Sequence, residues 1–185
     1  MGLGRRWVIV GMIAAGMLIA IAAAGLPLYV FPAHDEPRAV DAVYVIGPPT
    51  DTRIAMAESM VEDGLADALV VSLAENEALR EWFAPATAAC EEDRDYDVYC
   101  AQPDPFTTRG EARWIRDLID EHEWESVAVI TYRPHISRTR AIMKRCWDGD
   151  FVYLDSGEEP PLGEWIYQYA YQTGGFVKVL LESGC

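Results

Sequence analysis

The sequence predicts a single α/β domain of three layers, built around a mainly parallel sheet and preceded by one transmembrane helix. Short apolar runs rich in β-branched residues alternate with amphipathic stretches of helical spacing along most of the chain. This alternation is typical of parallel strands joined by right-handed crossovers, with helices covering both faces of the sheet. The transmembrane helix is indicated by an uncharged run near the N-terminus, from Trp7 to Ala33.

The uncharged run is about 27 residues long, which is enough to cross a hydrocarbon layer of about 30 Å as a helix. Arg5 and Arg6 precede it, whereas the flank after it, "HDEPRAVD", is net acidic, so the positive-inside rule places the N-terminus in the cytoplasm. A cleavable signal peptide is the alternative, although its apolar region usually has only about 7 to 15 residues. We therefore expect a single-pass plasma-membrane protein with a cytoplasmic N-terminus and anchor (1–33), a linker (34–40) and an extracytoplasmic domain (41–185).

The elements of the domain follow from local periodicity and turn residues. Predicted strands lie in "DAVYVIG" (41–47), "ALVVSL" (68–73), "SVAVIT" (126–131) and "DFVYLD" (150–155). Predicted helices lie in 52–65, 75–83, 108–124 and 135–147, with a last one within 162–181 that Gly174-Gly175 is expected to divide. Residues 84–106 are rich in Pro, Asp and Ala and predict a loop with at most one short strand, at 98–100.

Charge and composition exclude some partners. The chain carries 15 Lys and Arg residues against 30 Asp and Glu residues, a net charge of −15. A surface of this sign repels polyanions, so nucleic acid is not an expected partner, and adhesion to anionic lipid through a basic patch is disfavoured for the same reason. A small anionic ligand held in a local positive pocket is compatible with the charge.

The four cysteines form an even set without the Cys-x-x-Cys pairs or neighbouring histidines that would indicate zinc. Disulfides are the favoured interpretation for a domain outside the cytoplasm, and buried free thiols are the alternative. The expected pairs are Cys90 with Cys100, which closes a short loop, and Cys146 with Cys185. A bond between Cys100 and Cys146 is the leading alternative.

Seven polar or flexible residues follow the predicted strands and are the candidate site. Ligands bind such sheets beyond the carboxyl ends of the strands, where the winding direction reverses. The candidates are Gly47, Arg53, Ser72, Thr108, Glu111, His135 and Arg138. Two of these groups have simpler explanations, because Gly47-Pro48-Pro49 fits a plain turn and Thr108 with Glu111 fits a helix capping box.

His135 and Arg138 are three residues apart at the start of a predicted helix, so they share a face. The helix N-terminus presents amide hydrogens to an anion, and arginine adds a planar cation suited to phosphate or carboxylate. We expect an anion site here, in which only the first turn matters and Lys144 and Arg145 tolerate replacement by alanine. The alternative is a solvated face whose positive charges balance acidic neighbours.

In this order, the stretches "DAVYVIG", "VVS", "DPFTTRGEA" and "ITYRPHISRTRA" resemble the YdcF/SanA/ElyC family, in a membrane-anchored member of actinobacterial type. The resemblance covers about residues 41–155 and implies a Rossmann-like core tethered to the bacterial inner membrane. It also implies a role in envelope integrity and in the metabolism of cell-wall or polysaccharide precursors. The family's pocket-edge residues fall on the same seven candidates, listed above.

The chain departs from the family pattern at Gly47-Pro48-Pro49, where the family commonly has Gly-Gly, and at Pro134, where it commonly has Tyr or Trp. Both departures argue against a nucleotide or S-adenosylmethionine site, and neither a cofactor nor a metal is expected. The predicted partners are the lipid bilayer, a small phosphate-bearing ligand, and an envelope protein if the domain is a non-catalytic scaffold. An enzyme would use His135 as general acid or base, with Glu111 orienting a partner group.

Overall fold

The domain is built on a sheet of five strands, all parallel, in a computed structural model that describes residues 3–74 and 76–185. The strands are β1 (Val40–Val45), β2 (Ala66–Ser72), β3 (Asp97–Ala101), β4 (Ser126–Thr131) and β5 (Asp150–Asp155). The helices are α1 (Leu3–Gly25), α2 (Asp51–Glu62), α3 (Glu77–Trp82), α4 (Ala84–Glu91), α5 (Thr108–His122), α6 (Ile136–Cys146) and α7 (Trp165–Leu181). The predicted α/β class and parallel sheet are confirmed.

The strand order is β3–β2–β1–β4–β5, with β1 at the centre. Val43 in β1 pairs with Leu69 in β2 and with Ala128 in β4, and all three side chains are fully buried. Because successive side chains of a strand point to opposite faces, the apolar run of β1 supplies both layers of the core.

Helices cover the two faces of the sheet and make three layers. On one face, Ile115 of α5 and Met143 of α6 pack over the sheet. On the other, Ile54 of α2 and Ala86 of α4 do the same. The amphipathic spacing of these helices is the pattern from which the sequence predicted them.

Helix α4 lies where the sequence predicted a loop, so that prediction is wrong. Pro85 occupies the first turn, where its missing N–H costs nothing, and Ala86 and Ala89 are buried against the domain. Local composition indicated a loop because alanine and proline carry no strong periodic signal, and tertiary packing decided the outcome. The short strand expected at 98–100 is present as β3.

Two predicted helices differ in detail. The one expected over 75–83 is α3, and its first predicted residue, Glu75, lies outside the described residues, as do Met1 and Gly2 of the predicted cytoplasmic segment. The last helix is not divided at Gly174-Gly175, because α7 runs unbroken from Trp165 to Leu181. Packing against the domain outweighs the about 1 kcal/mol that each glycine costs in a helix interior.

The N-terminal segment is long and apolar enough to cross a membrane. Helix α1 continues through a π-helical turn, Leu26–Val30, which gives a candidate span of 27 residues, Gly4–Val30. Its side chains are almost all exposed, as lipid-facing side chains of a single span would be.

The predicted linker is held along the outer edge of β5. Asp35 and Tyr153 exchange two hydrogen bonds of 2.8 Å, backbone N–H to carbonyl and backbone N–H to carboxylate. Arg38 then pairs with Asp150 at the start of β5, at 2.6 Å. The segment covers an edge strand whose backbone groups would otherwise be open to pairing.

The structure contains the expected disulfides. Cys90 of α4 is bonded to Cys100 of β3, and Cys146 at the end of α6 is bonded to Cys185. This is the pairing favoured from the sequence, so the described cysteines include no free thiol. The second bond ties the C-terminal tail back to the core layer formed by α6.

Candidate functional site

A cavity of about 450 Å³ opens at the carboxyl edge of the sheet. It lies where β1 and β4 are neighbours, which is where the chain reverses its winding direction in the strand order. The residues around it come from the ends of β1, β2 and β4, from the junction between α3 and α4, and from α5, α6, α7 and the residues just before α5 and α6. They include Gly47, Pro48, Pro49, Ala74, Phe83, Phe106, Thr107, Thr108, Glu111, Tyr132, His135, Arg138, Tyr167, Gln168, Tyr171 and Gln172.

Glu111 forms part of the floor and binds the exit of β1. Its Oε1 accepts a hydrogen bond of 2.6 Å from the backbone N–H of Gly47. Below it, the hydroxyls of Tyr44 and Ser72 lie 2.6 Å apart and are fully buried. Burial raises the pKa of the Glu111 carboxyl above its ordinary value, and the bonds from Gly47 and Ser72 oppose that rise only in part.

The capping-box explanation for Glu111 does not hold. The N-cap of α5 is Thr107, whose Oγ1 accepts from the N–H of Gly110 at 3.2 Å. Thr108 is therefore the first residue of the helix, and the Glu111 carboxylate is used on β1 instead of on the cap. The structure thus frees Thr108 and Glu111 to face the cavity.

His135 is buried at the start of α6 and held from both sides. Its Nδ1 lies 3.1 Å from Thr131 Oγ1 and its Nε2 lies 3.4 Å from Thr108 Oγ1. Burial, with the charges of Arg138 and Arg53, lowers the pKa of His135 well below its ordinary value. The imidazole is therefore neutral at pH 7, with one nitrogen able to donate and the other to accept.

Arg138 contributes a cation to the cavity wall. Its Nε donates to Gln172 Oε1 at 2.8 Å, and its guanidinium lies over the ring of Tyr171 at 5.4 Å. Gly175 lets the side chain pass, since a Cβ there would lie 2.6 Å from Arg138 Cδ. Within residues 3–74 and 76–185, no carboxylate lies within 4 Å of this guanidinium.

The basic residues after Arg138 have other functions. Arg140 lies over the ring of Tyr153 at 4.7 Å. Arg145 donates to the carbonyls of Val179 and Glu182 at 2.6 and 2.9 Å, which caps the end of α7. Arg145 therefore contributes to the fold, and its predicted dispensability for ligand binding stays a prediction. Lys144 is exposed and forms no ion pair among the described residues.

Arg53 and Ser72, two of the predicted ligand residues, lie behind the cavity wall. Arg53 is 3% exposed, and its guanidinium is held by Glu158 at 2.6 Å and by the Pro48 carbonyl at 2.8 Å. It also lies 5.1 Å from the centre of the Tyr132 ring. A buried cation needs such partners, so the guanidinium supports the wall and is not presented to a ligand.

Sequence reasoning missed the polar side chains that α7 brings to the site. Tyr132 Oη donates to Gln168 Oε1 at 2.7 Å, and Gln172 Nε2 lies 3.4 Å from the same hydroxyl. Burial raises the pKa of the Tyr132 hydroxyl. The available signal was the spacing of Gln168 and Gln172, four residues apart on one side of a helix otherwise rich in aromatic residues.

The remaining wall is largely aromatic and apolar. Phe83 and Phe106 lie on one side, and Tyr167 with Tyr171 on another, where their rings stack at 5.6 Å. Helices α5 and α6 both begin at the cavity, so their positive dipole ends point toward its contents. The site therefore combines a cation, two helix N-termini and an apolar wall.

No family model, curated protein or solved structure matches the chain. Within the described residues, no group of three or more His, Cys, Asp or Glu side chains is placed to hold a metal ion. The site must therefore be interpreted from its own geometry.

Proposed function

We propose that the chain is a membrane-anchored protein of the cell envelope whose domain, outside the cytoplasm, binds a small phosphate-bearing ligand in the sheet-edge cavity. The observation that carries this proposal is Arg138. The chain has 30 acidic and 15 basic residues, yet no carboxylate in the part of the chain that the structure describes lies within 4 Å of the Arg138 guanidinium, which lines the cavity. Planar cations of this kind suit bidentate binding of phosphate or carboxylate.

The shape of the cavity indicates a ligand larger than an inorganic ion. A volume of about 450 Å³ falls in the range of about 300 to 1,000 Å³ that is usual for small-molecule sites. The rings of Phe83, Phe106 and Tyr171 favour an apolar or planar group beside the anion. A phosphate of a lipid-linked cell-wall precursor has both parts, and the resemblance to the YdcF/SanA/ElyC family points to the same class.

An enzymatic form of the proposal uses two buried side chains. Neutral His135, oriented by Thr131, would accept a proton from a water that attacks the phosphorus of a bound phosphate ester and return it to the leaving oxygen as the P–O ester bond breaks, while Arg138 stabilises developing negative charge. Glu111 would orient the attacking or leaving group from the floor of the cavity. Arg53 would contribute only a long-range electrostatic effect and no direct contact, because Glu158 already holds its guanidinium.

Calorimetric titration of the full chain in detergent with phenyl phosphate tests the binding proposal. Charge-assisted arginine bonds contribute about 1.5 to 3 kcal/mol, so Arg138→Ala should weaken binding about tenfold or more. Lys144→Ala is the matched control on the same helix and should bind as the wild type does. Equal losses in the two variants would reduce the effect to nonspecific charge, and release of inorganic phosphate in the same samples would identify an enzyme.

A non-catalytic interaction domain is the second candidate. It is favoured by the apolar side chains that α7 exposes, among them Ile166 at 84% and Tyr167 at 60%. Under this alternative the folded protein does not bind phenyl phosphate at all. The same titration therefore separates the two candidates.

The orientation in the membrane has its own test. A reporter enzyme active only outside the cytoplasm, fused after Cys185, should be active if the N-terminus is cytoplasmic. Activity only from a cytoplasmic reporter at that position would overturn the proposed location of the domain.

A further inference from the structure

The N-terminal part of α7 and the residues just before it lie alongside the end of the candidate membrane span. We propose that this part of the domain is a second, peripheral membrane contact, in which the exposed side chains of Leu162 and Ile166 enter the outer interface of the same bilayer that α1 crosses. The contact is independent of what the cavity binds.

Direct contacts join α7 to the span. Tyr169 Oη donates to the backbone carbonyl of Ala22 at 3.1 Å. At Gly25, a Cβ would lie 2.1 Å from Tyr169 Cε1, so ring and helix touch without a gap. Ala22 lies eight residues before Val30, the end of the span, which is about 12 Å along a helix. A bilayer that covers the span therefore reaches the level of Tyr169.

The two helices run in the same direction where they meet. Tyr169 contacts Ala22 and Gly25, whereas Tyr29, later in the span, packs its ring on both Tyr169 and Phe176, and its hydroxyl lies 3.0 Å from that of Thr173. Residues of α7 that precede Tyr169 are consequently deeper than Tyr169 on the membrane side. Leu162 and Ile166 are the apolar residues in that position.

These side chains are open to the surroundings of the protein. Leu162 is 91% exposed and Ile166 is 84% exposed. Exposed apolar residues also continue along the same side of α7 at Ala170, Val177 and Leu181, but these follow Tyr169 and lie on the side away from the bilayer. Adjacent large apolar side chains as exposed as Leu162 and Ile166, placed beside a membrane span, are typical of a surface that meets the membrane.

The length of the span fixes the bilayer as the occupant. Twenty-seven helical residues extend about 40 Å, whereas the hydrocarbon core is about 30 Å thick. With Arg5 and Arg6 at the cytoplasmic surface, the hydrocarbon ends near Leu26, close to the level of Tyr169. The rings of Trp165 and Tyr169 then lie where aromatic belts form.

Glu164 sets the depth of the contact. It is exposed on the turn between Leu162 and Ile166, and its charge is stable among headgroups but costly in hydrocarbon. Because Glu164 precedes Tyr169 by five residues, its carboxylate must extend to the headgroups while Leu162 and Ile166 enter the apolar boundary, and this limits how deep the contact can lie. Because the chain has a net charge of −15, apolar burial and not a basic patch supplies the attraction, and zwitterionic lipid is sufficient.

The contact turns the cavity toward the lipid. The linker runs from Tyr153 in the middle of β5 to Asp150 at its start, so α1 joins the domain from the carboxyl edge of the sheet, where the cavity opens. Tyr167 and Tyr171 of α7 line that cavity. A phosphate-bearing amphiphile could thus enter it from the bilayer, a consequence that rests on the proposed function, whereas the contact itself does not.

Spin labels on the full chain in phosphatidylcholine nanodiscs test the contact. One label is placed at Ile166→Cys, and the control label at Glu121→Cys, an exposed position in the last turn of α5 at the opposite edge of the sheet. Collision rates with oxygen, which partitions into lipid, and with a water-soluble nickel complex are measured at both positions. We expect the oxygen-to-nickel ratio at 166 to exceed that at 121 by at least a few fold.

Equal ratios at the two positions would overturn the proposal, since residue 166 would then be in water. A label at 166 that is shielded from both reagents, in particles that hold two copies of the chain, would overturn it in favour of a dimer interface. As a control, phenyl phosphate binding is measured for both labelled proteins and should equal that of the unlabelled chain, whether or not that chain binds it. The outcome for the membrane contact is thereby distinguishable from the outcome for the ligand.

Discussion

The carboxylate of Glu111 accepts a hydrogen bond of 2.6 Å from the backbone N–H of Gly47 and so joins the first turn of α5 to the exit of β1. The backbone of Gly47 also lies close to this carboxylate, since a Cβ at Gly47 would lie 3.3 Å from the same oxygen. Glu111 is 5% exposed and Gly47 is half-buried, so the bond is partly shielded from water. This contact shapes the cavity floor, and it gives one acidic residue both a structural and a candidate functional role.

Glu111→Ala should destabilise the domain. The Gly47 N–H, which is half-buried, loses its acceptor, and this costs up to about 1 to 3 kcal/mol in the free energy of unfolding. Glu111→Gln keeps a carbonyl oxygen and should lose less. Urea unfolding of the full chain in detergent, followed by circular dichroism, measures both, and equal losses in the two variants would show that this hydrogen bond is not what matters.

The stability should depend on pH through His135. Its folded pKa lies well below the ordinary value of 6.5, so between the two values the unfolded chain binds more protons than the folded one. The contribution of His135 is complete above about pH 6.5 and is lost as the pH falls through that value toward the folded pKa. We expect the free energy of unfolding to fall more steeply from pH 7 to pH 5 in the wild type than in His135→Gln. Parallel curves would contradict the buried, neutral imidazole.

Replacement of two helical glycines by alanine should change the stability of the domain in opposite directions. At Gly110 in α5, a Cβ would lie 1.9 Å from the carbonyl oxygen of Pro105, so Gly110→Ala must push backbone apart and should cost about 2 kcal/mol or more. At Gly174 in α7, no atom lies within 4 Å of the added Cβ, and Gly174→Ala should gain about 0.5 to 1 kcal/mol from helix propensity. Thermal unfolding of the two variants compares them directly. A neutral Gly110→Ala would mean that the loop before α5 is not packed as described.

Arg53 should contribute to the stability of the domain through its ion pair with Glu158. Glu158→Ala leaves its guanidinium buried without its ion-pair partner, for which losses of about 3 to 5 kcal/mol are usual, discounted here because the Glu158 side chain is 25% exposed. Arg53→Ala and the double variant complete a double-mutant cycle on unfolding free energies. A double variant more stable than Glu158→Ala alone is expected. Strict additivity would show that the pair is not coupled.

The two disulfides should differ in their contribution. Cys90–Cys100 closes a separation of 10 residues and Cys146–Cys185 one of 39. In the chain-entropy model these correspond to about 2.7 and about 3.9 kcal/mol, so replacing the second pair by alanine should destabilise the domain more. Denaturant midpoints of the two double-alanine variants give the comparison, and the reverse order would mean that native-state packing outweighs loop entropy.

Some features were determined by the sequence itself. The short, continuous apolar runs of β1, β2 and β4, rich in β-branched residues, favour strands buried on both faces, and such strands occur in parallel sheets under helices. The uncharged run before His34 could be recognised as a candidate membrane span from its length, because the hydrocarbon core of a bilayer has a nearly constant thickness. Placing His135, Arg138, Thr108 and Glu111 near one another also followed from sequence order, since the carboxyl ends of parallel strands meet at one edge.

Other features were decided only by the tertiary structure, because they depend on which atoms reach each other across distant parts of the chain. The sequence could not show that Glu158, 105 residues away, holds Arg53 and removes it from the cavity. Nor could it show that Glu111 binds Gly47 instead of its own helix end, or that α7 supplies Gln168 and Gln172. Local patterns describe one element at a time, whereas a hydrogen bond or an ion pair between elements is selected by packing in three dimensions.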